Sequence, residues 1–314
     1  MVSDDRAQLI LVGAIAIGIV LIALTTVLNS AVFTENVAEG SAVEVTGDVN
    51  EFERESTRNV RSLMVRVNHD GIFEDSASDR DALKGHARQN VTRYSKIIGE
   101  TYADTGSVYV NVSYAGNTEF GYRVVQREDA NFSKNNGIQT WTPIDGPSRL
   151  GWFVVNLDVE NVSQSTPMFV NLTNTTGDAM NVSFRRTASN RIAVNSTIEG
   201  NHRSNVTCEP TSGRVLLDVV EGTSYAGDCE FNSTAYLDGP YSSMEFDNGE
   251  SARGKYDIVV NGTSSSTIPN SCGAGASPIR PCEGVAIWSL GITTHYETGA
   301  ISYEKTRNVS VYDG

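Results

Sequence analysis

Lysine is nearly missing from this 314-residue chain: Lys84, Lys96, Lys134, Lys255 and Lys305 are the whole complement, and arginine supplies the other basic side chains. With 38 acidic residues against 24 basic ones, the formal charge is −14. No basic patch is available to neutralise phosphates, which argues against nucleic acid as a partner. An acid-rich, lysine-poor surface instead keeps a protein hydrated where ions are concentrated and long-range repulsion is screened. Histidine is also scarce. His69, His86, His202 and His295 include no i, i+4 helical pair with a neighbouring acid of the kind that holds zinc, so each is expected to be structural. There is no Gly-x-Ser-x-Gly elbow, no Gly-Lys-Ser/Thr phosphate loop and no dinucleotide fingerprint. Asp75, Asp79 and Asp81 lack the glycine and terminal glutamate of a calcium loop and read as a solvated connection. No catalytic residue, metal or cofactor is therefore expected.

Long apolar runs are missing too, with one exception. Residues 9–29 (Leu-Ile-Leu-Val-Gly-Ala-Ile-Ala-Ile-Gly-Ile-Val-Leu-Ile-Ala-Leu-Thr-Thr-Val-Leu-Asn) carry no charge. At ~1.5 Å per residue, such a stretch spans the roughly 30 Å hydrocarbon core of a bilayer as a helix. The reading is an eight-residue N-terminal leader or cytoplasmic tag (1–8), a transmembrane helix (9–29) and a large part beyond it. Arg6 is the only basic residue before the run and the next is Arg54, so the basic bias leaves the N-terminus inside and the C-terminal region outside. The lipid bilayer is thus the first expected partner. A cleaved secretory signal would have a shorter core and a small-x-small site. Here Asn29 and Asn36 occupy positions that should be small, so retention of the helix is expected. Ala14 and Gly18 form a small-xxx-small pair suited to close helix packing.

The opening stretch Asp4-Asp5-Arg6-Ala7-Gln8-Leu9-Ile10-Leu11-Val12-Gly13-Ala14 resembles the start of archaeal type IV pilin-like proteins with a class III-like N-terminus. In that family a short polar leader abuts the apolar helix and a prepilin peptidase cuts at the junction. The resemblance implies cleavage between Ala7 and Gln8 and, as partners, other pilin-like subunits or envelope proteins. The same stretch is similar to the N-termini of single-span surface proteins of halophilic archaea, in keeping with the acidic, lysine-poor composition. Ala7 stands where the family most often has glycine, and Val12 where many members carry a glutamate that assists docking.

Asn-x-Ser/Thr tripeptides begin at Asn90, Asn111, Asn131, Asn161, Asn171, Asn174, Asn181, Asn195, Asn205, Asn232, Asn261 and Asn308. About five would be expected by chance, so the excess is about twofold. Six of them have a central valine, and on a strand that is simple polar–apolar–polar alternation. Glycosylation and strand patterning are compatible readings, because an acceptor asparagine must be exposed. The four cysteines lack zinc spacing. They allow three disulfide connectivities, of which the short separations favour Cys208–Cys229 with Cys272–Cys282; four buried thiols are the other reading. Disulfides would fit an extracytoplasmic location.

Beyond the apolar run, Gly40 and Gly47 interrupt the pattern. Val49, Phe52, Ser56, Val60, Leu63 and Val67 then form a helical stripe that ends at Asn68-His69-Asp70-Gly71. A second helix is predicted from about Asp79 to Tyr102, with a capping box of Ser78 and Asp81 and a stripe of Leu83, Ala87, Val91, Tyr94, Ile98 and Tyr102. The two helices should pack antiparallel, stripe to stripe. After Gly106 the period becomes two, with strands expected at 108–114, 120–126, 152–159, 169–173, 182–184, 192–194, 215–220, 256–260, 285–293 and 301–303. Trp141, Trp152 and Trp288 read as core anchors. The expected class is α+β: a transmembrane helix, a helical hairpin or stalk (30–105) and an antiparallel β-sandwich-like extracellular domain (106–314), with an internal boundary near 200–213. The expected function is a non-catalytic, single-pass cell-membrane protein with its C-terminal domain outside, pilin-like or accessory to a type IV pilus-like assembly. A permanently anchored, glycosylated adhesin is the alternative.

Overall fold

The structure, a computed structural model, describes residues 42–71, 76–133, 140–199, 202–234, 237, 239–261, 272 and 281–312. The apolar run at 9–29, with Ala7, Gln8, Ala14 and Gly18, lies outside them. Among the described residues, no helix is long and apolar enough to cross a membrane.

Two helices open the described chain, α1 (Ala42–Asp70) and α2 (Ala77–Thr105). α1 starts earlier than the periodicity predicted and runs straight through Gly47, because a single helical glycine costs only about 1 kcal/mol relative to alanine. Its buried stripe is Val49, Phe52, Ser56, Val60, Met64 and Val67; Met64 takes the place expected for Leu63, which is half-buried. α2 buries Leu83, Ala87, Val91 and Ile98. Its cap is Ser76 rather than Ser78: the Ser76 hydroxyl accepts from the Asp79 backbone N–H at 3.1 Å and donates to the Asp79 carboxylate at 2.8 Å. The serine–acid pair of the cap therefore sits two residues earlier than predicted.

Among the described residues, thirteen strands form two sheets. The seven-stranded sheet runs in the order β13 (Ser302–Ser310), β12 (Cys282–Glu297), β1 (Tyr109–Asn131), β11 (Arg253–Asn261), β3 (Arg149–Asp158), β8 (Arg214–Asp218) and β9 (Thr223–Ser224). The six-stranded sheet runs β2 (Trp141–Asp145), β10 (Tyr241–Asp247), β4 (Met168–Asn174), β5 (Ala179–Arg186), β6 (Ile192–Ile198) and β7 (His202–Cys208). The six-stranded sheet is antiparallel throughout, as is the β1–β11–β3–β8–β9 part of the other. The strands expected at 108–114 and 120–126 are one 23-residue strand. Gly116, at φ +95°, lets it continue where a turn seemed due. β2 and β7 escaped the periodicity for different reasons. Pro143 marks β2 as an edge strand, and β7 has few apolar side chains; both are indeed edges.

The chain divides into two compact units. Among described residues the first comprises 42–59, 91–113 and 292–307, and the second 60–90, 114–291 and 308–312. This division cuts through both helices rather than separating a helical stalk from a β-domain. Residues 202–213, within the stretch expected as a boundary, lie inside the second unit, where β7 pairs with β6 from Ile198↔His202 to Ile192↔Cys208.

In the first unit the helices run antiparallel. Early Phe52 meets late Tyr102 edge-on at 5.8 Å, and Asn59 Nδ2 donates to the Tyr94 hydroxyl at 3.2 Å. Ser95 Oγ fastens α2 to β1, accepting from the Val112 N–H at 2.9 Å and donating to Asn111 Oδ1 at 2.7 Å. Buried Glu53 receives Lys305 at 3.4 Å, Arg307 at 3.2 Å and the Thr294 hydroxyl at 3.3 Å.

In the second unit the inner faces of the two sheets share one apolar core. Phe153, Val155, Leu157 and Ile258 come from the seven-stranded sheet, and Met168, Val170, Leu172, Val182, Phe184, Val194 and Phe246 from the six-stranded one. That is a β-sandwich. Trp141 is buried and donates to the Phe132 carbonyl at 3.0 Å. Trp288 is buried in a smaller cluster with Val259 and Ala286; Trp152 packs half-buried against that cluster and not in the sandwich core. Cys208–Cys229 and Cys272–Cys282 are disulfides, the local pairing.

Candidate functional site

Alternation along β1 turns Val124 into the sandwich core and leaves Arg123 on the opposite face of the sheet. Arg123 faces Val259 of β11 in register, which puts Asp257, two residues along, on the same side. The guanidinium grips Asp257 with two bonds, Nε to Oδ1 at 2.9 Å and Nη2 to Oδ2 at 2.6 Å. Its remaining nitrogen, Nη1, donates to the main-chain carbonyls of Asn68 at 2.6 Å and Gly71 at 2.8 Å. A helix leaves its last carbonyls unpaired at the negative end of its dipole. Arg123, itself 5% exposed, therefore acts as a buried C-terminal cap for α1.

The two residues before that end complete the clasp. Asn68 imitates a strand partner: its Nδ2 donates to the Ile287 carbonyl and its Oδ1 accepts the Ile287 N–H, both at 2.8 Å. The same Nδ2 reaches the Tyr312 hydroxyl at 2.9 Å. His69 Nδ1 lies 2.9 Å from Asp257 Oδ2. Burial pushes the Asp257 carboxyl up, but the bonds and charge of Arg123, with His69, outweigh it and hold the group below the usual carboxylate range. An ionised carboxylate only accepts, so His69 Nδ1 carries the proton and donates. The imidazole packs on Trp152, with ring centroids 4.9 Å apart. Burial also raises the Tyr312 phenol.

Farther along the same sheet lies a second carboxylate. Asp218 of β8 and Asp257 of β11 both pair with Val154 of β3 and so flank it on one face. Asp218 accepts from the Val220 and Glu221 N–H groups at 3.0 and 3.1 Å. Its carboxyl is nevertheless raised by burial. Tyr225 stands beside it, hydroxyl to carboxylate 3.5 Å, and is half exposed next to the exposed Leu216.

The outer face of the six-stranded sheet differs. In register across β10, β4, β5, β6 and β7 run Glu245, Asn171, Asn181, Thr197 and Arg203, and beside them Asp247, Phe169, Ser183, Asn195 and Asn205. The middle of this face is asparagine, serine and threonine.

Of the residues singled out in the sequence, the clasp gathers Asn68, His69 and Gly71 of the helix stop, together with Trp152. His69 closes the last turn of α1 rather than a free turn, and its acidic partner is distant in sequence. His86 is exposed on α2, and His202 begins β7. His295 on β12 lies 3.4 Å from Glu297 and 3.5 Å from Glu304. Asp81 pairs with Lys84 at 3.5 Å, and Asp75 lies outside the described residues. Among the described residues, no three His, Cys, Asp or Glu side chains are grouped to hold a metal.

The asparagine tripeptides are scattered over every kind of element. Asn90 is in α2, Asn111 and Asn131 on β1, Asn161 in a 3-10 turn, Asn171 and Asn174 on β4, Asn181 on β5, Asn195 on β6, Asn205 on β7, Asn232 in a loop, Asn261 on β11 and Asn308 on β13. Where the central residue is valine it is buried, as in Val91, Val112, Val162, Val182 and Val309, or half-buried, as in Val206. The pattern thus serves a helix and a turn as well as strands. Arg123 and Asp257 were missed. Their one local signal is a charge inside an apolar run, Tyr-Arg-Val-Val and Tyr-Asp-Ile-Val-Val.

The described residues make an α+β fold of two helices and two mostly antiparallel sheets. Residues 3–125 match the model of DUF7261, a family of unknown function. That stretch holds the apolar run, both helices and β1 as far as Val125, which is less than half of the chain. No curated protein matches the chain.

Proposed function

We propose that this is a non-catalytic, single-pass cell-envelope protein whose C-terminal β-region faces outward, a pilin-like subunit or an accessory of a type IV pilus-like assembly. The observation that carries the reading is the uncharged run at 9–29 abutting the polar leader that ends at Ala7-Gln8. The apolar helix would hold the protein in the bilayer before assembly and pack among neighbouring subunits through Ala14 and Gly18 afterwards. Two disulfides support an oxidising, extracytoplasmic setting for the β-region. The charge of −14 argues against a nucleic-acid partner.

Mass spectrometry of the N-terminus, on protein purified from membranes, tests this reading. A mature start at Gln8 is the expected result, and an intact Met1 or Val2 start overturns peptidase processing. The open asparagine-rich sheet face favours a second reading, a permanently anchored glycosylated adhesin, which predicts the intact start.

A further inference from the structure

We infer that the outer face of the six-stranded sheet is a glycan-bearing face, with N-linked oligosaccharide on Asn171 and Asn205, while Asn90, Asn174 and Asn232 stay bare although they stand in the same tripeptide. The inference rests on the outward orientation proposed above. On each of four consecutive strands the asparagine and the hydroxyl residue two positions on share the outward face: Asn171 with Thr173, Asn181 with Ser183, Asn195 with Thr197 and Asn205 with Thr207. This placement turns the asparagine and the hydroxyl residue of the acceptor tripeptide to one surface four times, with Ser183 the buried exception among the hydroxyls.

Register and hydrogen bonding then choose among the four. Asn171 faces Asn181, and Asn195 faces Asn205. Opposed side chains start only about 5 Å apart, too close for two sugar chains, so each pair carries one. Asn181 Nδ2 donates to Asn171 Oδ1. The Asn171 amide nitrogen is the one left to react, and the carbonyl that accepts from Asn181 survives its modification. In the other pair Asn205 is exposed on the edge strand and Asn195 is half-buried between strands. A sugar on Asn205 would also block edge-to-edge pairing of β7 with another chain.

The asparagines that stay bare spend their amide nitrogens on bonds within the chain. Asn174 is 5% exposed; its Nδ2 donates to Asp178 at 3.1 Å, and its Oδ1 accepts the N–H groups of Thr176 and Asp178 at 3.0 and 2.8 Å. Asn232 Nδ2 donates to the Ser196 carbonyl at 3.5 Å, and Asn90 Nδ2 to the His86 carbonyl at 2.9 Å within α2.

In the transfer, amide Nδ2 forms a bond to the anomeric carbon of a polyprenyl-phosphate-linked oligosaccharide. The bond from that carbon to the phosphate oxygen breaks, the lipid phosphate leaves with the electron pair, and the amide loses one proton. Nothing is oxidised or reduced.

The test is glycopeptide mass spectrometry of the full-length protein from its own cells, with fragmentation that assigns the modified residue, run beside protease shaving of intact cells. Sugar mass is expected on Asn171 and Asn205 and none on Asn90, Asn174 or Asn232. Thr173→Val should remove only the first modification and Thr207→Val only the second. Sugar on Asn174, or bare Asn171 and Asn205 on a head that protease reaches, overturns the inference while leaving the surface reading standing. A head that protease cannot reach overturns both.

Discussion

The two outer faces of the sandwich are made by the same alternation of inward apolar and outward polar side chains, yet they end in opposite states. On the seven-stranded sheet, Arg123 is buried and Asp257 partly buried under the end of α1, and Arg123 bonds both the carboxylate and the last carbonyls of the helix. On the six-stranded sheet, Asn171, Asn195 and Thr197 remain half-exposed and Asn205 exposed among the described residues. A charged pair withdrawn from water is specific because each lost partner leaves an uncompensated charge. A face of amides and hydroxyls left in water has no such penalty and is free to meet something outside the chain. One face records how the unit is held together, and the other is where its surface chemistry is available.

Removing the guanidinium should break this contrast most severely. Arg123→Met strands Asp257 and the two carbonyls that Arg123 caps, and the full-length protein should lose about 3–5 kcal/mol, read from its denaturant midpoint. Asn68→Ala leaves the Ile287 N–H and carbonyl without their side-chain partner. A loss of about 2 kcal/mol is expected, with α1's last turn showing faster amide exchange.

The two carboxylates should respond to pH in opposite senses. Asp257 is held below its ordinary 3.8, so it contributes stability above that value and loses it as pH falls through the lowered folded-state value. Asp218 is raised by burial, so its contribution is present below 3.8 and disappears as pH rises through the raised folded-state value. Denaturant midpoints across pH should therefore show the acid-side loss flattened in Asp257→Asn and the loss above pH 3.8 flattened in Asp218→Asn. Smallest of all, Thr197→Ala on the open face should change stability by no more than about 0.5 kcal/mol. A larger loss would mean that this face is structural after all, and the comparison would fail.

Much of the architecture was legible in the sequence. The stripes of both helices are there in three- and four-residue steps, and the strands announce themselves by alternation, except β2, β7, β9 and β10. β2 carries a proline, β7 too few apolar residues and β10 serines where a pattern should be, and β9 is only two residues long. The errors at Leu63 and Ser78 are each a slip along a correctly placed helix, because periodicity locates a face better than a terminus. The clasp was not legible. Arg123 and Asp257 are 134 positions apart, and Asn68 and Ile287 are 219 apart, and no local period links residues at that distance.

By itself the sequence determined the acidic, lysine-poor surface, the single apolar run, the two helices, the alternating strands and the twelve acceptor tripeptides, since each is a property of neighbours along the chain. Only the tertiary structure decided that Arg123 caps α1. Only it separated Asn171 and Asn205, turned outward on a sheet, from Asn174, which the same tripeptide places in a closed turn. Burial and pairing register are set by which segments meet in space.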